Sequence, residues 1–296
     1  MNREGAWHDS VTGIGRRTLE AAYEDNIPFL AGGLSFDLLL TTIPFIVLLL
    51  AVVGYLVHHQ ITTQQVSLHE LLARFLPTAS NGAEPGAFET VERLVAGLLA
   101  RRGRLTVVGL PLFLWFSTRL FGGLRVALNE VFDTDERRPW AVAKLLDLLL
   151  VGVAGVFLIA GGVLAAYQAR NADMLSHNFF VSWVWRLSIE TLTFALGIAL
   201  FFVIFKLLPS RRIDWRTAMV AAAFSSLGFE VAKWLYGLFV VKFVTFDRLA
   251  SDANVIAVFL FLQWVYSTAY LFLLGGEVAV TYDLIRMRRA QRVQLG

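Results

Sequence analysis

Apolar residues along this chain gather into long runs, covering about residues 29–57, 105–128, 142–167, 187–208, 217–241 and 255–282. A helix needs roughly 20 residues to cross ~30 Å of hydrocarbon. The pattern therefore predicts an all-α, polytopic membrane protein with six transmembrane helices. Before the first run, Trp7, Val11, Ile14, Leu19 and Ala22 are interspersed at helical spacing with Arg16, Arg17, Glu20 and Glu24. That spacing predicts an amphipathic helix on the inner leaflet, ended by Pro28. The polar loop 58–104 is expected to hold two short helices, 66–76 and 88–100, around turn-forming residues 78–86. The resulting organisation is an amphipathic cytoplasmic segment 1–28, a six-helix membrane domain 29–282 and a basic cytoplasmic tail 283–296.

The runs are unequal. Thr41, Thr42 and Pro44 interrupt the first, so a kink or break is expected near Pro44. The second is uniformly apolar only over 105–116, and Arg119 and Arg125 follow. The fifth carries Glu230 and Lys233. Both need their charges sheltered by protein or water. Lys and Arg set the orientation. With both termini cytoplasmic, the inner segments hold Arg16, Arg17, Arg137, Arg138, Arg211, Arg212 and Arg288, among others. Two short outer loops hold few cations, while Arg101, Arg102 and Arg104 in the longer outer loop run against the rule. The expected location is a bacterial inner membrane.

Composition agrees, with 57% apolar residues and a mean hydropathy of +0.63. The net charge of +3 reflects the positive-inside distribution and does not call for a nucleic-acid partner. There is no cysteine, which excludes disulfides, thiolate catalysis and cysteine-ligated metals. The polar first 28 residues leave no cleavable signal peptide visible, so the first run is expected to stay as an anchor. His8, His58, His59, His69 and His177 lie in tails or loops without metal-ligand spacing. Neither a phosphate-binding glycine loop nor Gly-x-Ser-x-Gly is present. No enzyme, cofactor or metal site is expected.

Ionisable residues inside hydrocarbon are the remaining chemical signal, since each costs roughly 2.5–3.5 kcal/mol at a helix centre. By depth, Asp37, Arg119, Arg125 and Glu277 can meet in one polar cluster, with the two acids as counter-ions to the two arginines. Glu230 and Lys233, three residues apart, share a face of the fifth helix and can pair. The structural reading of all six is helix-locking pairs or side chains snorkelling to the interface. The functional reading is a substrate pathway. Pro44, Gly122, Gly123, Asn129 and Pro209 are candidate structural or hinge positions. Small residues four apart, such as Ala218 and Ala222, suit close helix packing.

Four motifs in order resemble the YihY/virulence factor BrkB family of bacterial inner-membrane proteins. They are Ala31-Gly-Gly-Leu-Ser-Phe-Asp37 leading to Pro44, Trp115-Phe-Ser-Thr-Arg119 through Asn129, Leu208-Pro-Ser-Arg-Arg-Ile-Asp-Trp215, and Leu274-Gly-Gly-Glu277. The likeness spans about residues 15–285. It implies six helices with both ends cytoplasmic and suggests envelope lipid handling or export. The ribonuclease label once attached to the family finds no support in these residues. The leading expectation is a protein that transports, flips or presents a lipid or amphipathic anion, with membrane lipids as partners. The alternatives are a scaffold whose loop 58–104 docks a periplasmic protein, and an ion or small-solute channel. Self-association is left open.

Overall fold

The computed structural model describes residues 11–64, 87–135, 138–171, 179–243 and 253–295. These form seven helices: α1 (Val11–Glu24), α2 (Ile27–Gln64), α3 (Ala87–Val131), α4 (Trp140–Asn171), α5 (Phe179–Leu207), α6 (Trp215–Phe243) and α7 (Ala253–Leu295). Six of them, α2 to α7, are long and apolar enough to span a membrane. The expected helix 66–76 lies outside the described residues.

Several boundaries differ from the sequence reading, each for a physical reason. Residues 88–100 are not a separate helix but the first turns of α3. The Arg101-Arg-Gly-Arg104 run after them contains only one weak helix former and no proline to stop the helix. Pro28 does not end α1. Asn26 does, at a left-handed φ of 51°, and Pro28 sits in the first turn of α2, where its missing N–H costs nothing. Pro44 lies inside the continuous α2 and causes no break in it. The basic tail from residue 283 continues α7 as helix.

The chain forms two compact units, Leu39–Ser117 and the remainder. In Leu39–Ser117, α2 and α3 pack through Phe45 and Phe113, whose ring centroids are 6.0 Å apart. Gly109 is buried against Val47 and Leu48, where a side chain would begin to press on its neighbours. Arg102 lies over the Tyr55 ring at 5.7 Å.

In the other unit, α5, α6 and α7 pack consecutively, and α1 docks on α7. The α6–α7 seam is tight because its residues are small. A side-chain carbon on Gly275 would overlap the Ser225 hydroxyl and sit 3.1 Å from the Ala221 carbonyl oxygen. Without a hydrophobic drive between helices in lipid, such close approach is how they gain van der Waals contact. Phe205 stacks on Phe272 at 4.6 Å across α5 and α7. α1 turns Thr18 and Ala22 inward and leaves Leu19 and Tyr23 exposed. Thr18 hydrogen-bonds Thr281 of α7 at 3.4 Å, so α1 is anchored to the bundle by its small residues.

Candidate functional site

Two ion pairs are built on α3. Nε of Arg119 donates to Oδ1 of Asp37 at 2.8 Å, and the guanidinium also lies over the Phe36 ring at 5.9 Å. The Arg119 side chain is 54% exposed and that of Asp37 13%. Arg119 stands near the middle of the span Ala100–Val131. Arg125, six residues on, points to another side of the helix, because six residues turn an α-helix by about 600°. Its guanidinium donates to Asp147 of α4, with both side chains buried.

Arg125 therefore does not join Asp37 and Glu277 in one cluster. The sequence reading missed Asp147, although a signal was present. Asp147 lies seven residues into α4 and Arg125 six residues before the end of α3, so both sit about 10 Å along their helices from the same connecting segment.

The Gly122–Gly123 pair serves both salt bridges. A side-chain carbon on Gly123 would lie 2.9 Å from Oδ2 of Asp37, and one on Gly122 would lie 3.9 Å from Oδ2 of Asp147. α3 is unbroken here, and these glycines give two carboxylates room beside the helix.

Glu277 is only 1% exposed, and its Oε1 has no hydrogen-bond partner. Neither Arg119 nor Arg125 is paired with it, since they bond Asp37 and Asp147. On α6, Lys233 donates to Glu230 at 2.6 Å and lies over the Phe229 ring at 5.4 Å. The same helix borders an apolar groove of about 540 Å³ against α7, where Gln263, Ser267 and Tyr270 supply polar atoms.

The connections at the other end of these spans are strongly tied. Asn129 and Ser210 exchange two hydrogen bonds, 3.0 Å from the amide to the hydroxyl and 2.9 Å from the Ser210 backbone N–H to Oδ1. Arg138 donates to the carbonyls of Leu207 at 2.9 Å and of the buried Pro209 at 2.6 Å, filling acceptors left open at the end of α5. Burial, and then the nearby charge of Arg125, lower the Arg138 guanidinium from its ordinary value. Asp214, ahead of the first turn of α6, pairs with Arg286 of α7. The Arg286 hydrogen bond is the main cause holding its carboxyl below the ordinary carboxylate range.

The sequence matches the virulence factor BrkB family over residues 18–294. The chain belongs to that family. Among its relatives is a UPF0761 membrane protein of Rhodospirillum centenum, 26% identical over 99% of this chain and 62% of its own length. A UPF0761 membrane protein of Tolumonas auensis is 23% identical over 91% of this chain and 85% of its own length. A Bacillus subtilis relative bears the name ribonuclease-like protein YfkH, at 23% identity over 83% of this chain and 86% of its own. The chain thus spans less than two thirds of the Rhodospirillum relative and most of the other two. No solved structure matches it. A multi-pass membrane protein of the BrkB/UPF0761 family is what both its helices and its relatives describe.

Proposed function

We propose that this protein moves or presents a lipid or other amphipathic anion in a bacterial inner membrane, with both termini cytoplasmic. The observation that carries the reading is Arg119: a half-exposed guanidinium near the middle of a span. A purely structural arginine at that depth is expected to be enclosed, as Arg125 is. Among the described residues its pair with Asp37 uses Nε alone, so the Nη groups are available for the bidentate contact that suits a phosphate or carboxylate. Asp37 orients the fork and offsets its charge between substrates. The groove beside α6, with Glu230 and Lys233 on the same helix, offers an apolar wall for an acyl chain. The placement of Lys and Arg supports the orientation.

Liposomes containing the purified protein and a labelled anionic phospholipid test the reading. Arg119→Ala is expected to bring lipid movement down to the rate of empty vesicles. If wild-type protein moves lipid no faster than empty vesicles, and Arg119→Ala is fully functional in cells, the reading is wrong.

A further inference from the structure

The groove of about 540 Å³ between α6 and α7 joins two kinds of surface. On α6, Leu227, Val231 and Leu235 make an apolar wall, and on α7 Gln263, Ser267 and Tyr270 supply polar atoms. Among the described residues no charged side chain lines it. Glu230 and Lys233 follow the groove-lining Gly228 by two and five residues, so they stand about 200° and 140° round the helix from it. What the groove recognises is therefore uncharged.

Its hydrogen-bonding capacity is partly unused. The Tyr266 hydroxyl donates to the Pro28 carbonyl at 3.4 Å, and the Gln263 amide donates to the Ser267 hydroxyl at 3.3 Å. Among the described residues the second N–H of that amide and the Tyr270 hydroxyl have no hydrogen-bond partner. Polar groups left unpaired in hydrocarbon are costly, so an occupant gains by accepting from both. The two donors lie seven residues apart on α7, two turns or about 10 Å. Beside them the Tyr266 and Tyr270 rings, 18° from parallel with centroids 6.2 Å apart, offer flat aromatic surface. Depth narrows the class further. The span Val258–Arg288 has 31 residues, about 46 Å, close to a full bilayer with its headgroups. Tyr270 lies about 18 Å past Val258, where a phospholipid at rest carries only acyl carbon.

We infer that the α6–α7 groove binds an isoprenoid quinone, an uncharged ring with a carbonyl at each end and a long apolar tail. Such a ring rests within hydrocarbon, where these donors are. One carbonyl accepts from Gln263 and the other from Tyr270, and the tail runs along Leu227, Val231 and Leu235. The site goes beyond the lipid reading: the tail shares that reading's apolar wall, but Arg119 takes no part.

The full chain, purified in detergent and titrated with decylubiquinone, provides the test. Its melting temperature is expected to rise to a plateau as the quinone is added. Gln263→Leu and Tyr270→Phe each remove one donor, so each should raise the half-maximal concentration about two- to tenfold. The two together should abolish the shift; should that chain fail to fold, the single variants carry the same expectation. Absence of a saturable shift in the wild-type chain overturns the inference, as does an unchanged half-maximal concentration in both folded single variants. An equal shift with decylbenzene, which has ring and tail but no carbonyl, overturns it because the groove then selects only apolar bulk. An equal shift with dioctanoylglycerol overturns it in favour of a neutral glycerolipid. A negative result leaves lipid movement in liposomes untouched, and a failed lipid assay leaves the quinone titration standing.

Discussion

Gly123 leaves the space that the Asp37 carboxylate occupies: a carbon added to the glycine would sit 2.9 Å from Oδ2. Gly123→Ala is therefore expected to push Asp37 off Arg119 and to cost about 1–3 kcal/mol as an overpacked contact. Gly122→Ala, whose added carbon lies 3.9 Å from Asp147, should be close to neutral. Thermal unfolding of both variants in detergent measures the contrast, and equal losses would refute the assignment.

The two arginines of α3 should behave differently. Arg125→Ala strands the buried Asp147 carboxylate and is expected to cost about 3–5 kcal/mol, whereas Arg119→Ala breaks a half-exposed pair and should cost at most about 1 kcal/mol. Replacing both members of the buried pair, with Arg125→Met and Asp147→Leu, should recover much of the loss. Denaturant titration of the three variants distinguishes these outcomes.

At the α6–α7 seam, Gly275→Ala drives a methyl into the Ser225 hydroxyl and close to the Ala221 carbonyl. A loss of about 1–3 kcal/mol is expected. Adding Ser225→Ala removes the hydroxyl but not the carbonyl, so it should restore part of the stability and not all of it. Full recovery in a melting experiment would show that the backbone contact does not matter.

Acid should loosen the connection between α6 and α7. The Asp214 carboxyl is held below its ordinary value by Arg286, so the folded form keeps it ionised to lower pH than the unfolded chain does. The stability this contributes is fully present above the ordinary carboxylate value and disappears as pH falls through the depressed one, below about 4. Asp214→Asn should flatten that part of a stability–pH curve and leave the neutral range with a small constant loss.

Six spans were legible because crossing a bilayer demands uninterrupted apolar length, which hydropathy reports directly. Partner choice was not, because it depends on how each helix is rotated about its axis. Arg119 and Arg125 looked like neighbours by depth, but six residues of helix turn them to different sides. Asp147 was hidden by the strength of its own run, where one acid among leucines leaves the hydropathy nearly unchanged. The docking of α1 on α7 went unforeseen because α1 was expected on the leaflet surface, and its fit through Thr18 and Ala22 depends on shape. The merging of residues 88–100 into α3 escaped notice because the arginines after them read as a boundary to hydropathy but not to a helix.

The exposure of Arg119 has a consequence for the membrane itself. On the proposed reading the half-exposed guanidinium meets the bilayer, and water and headgroups are drawn down to it, so that the bilayer thins and dimples around the charge. The proposed reading makes the lipid leaflet next to α3 the place where the barrier between the two membrane faces is lowest. On this account the protein alters the solvent as much as it contacts a solute.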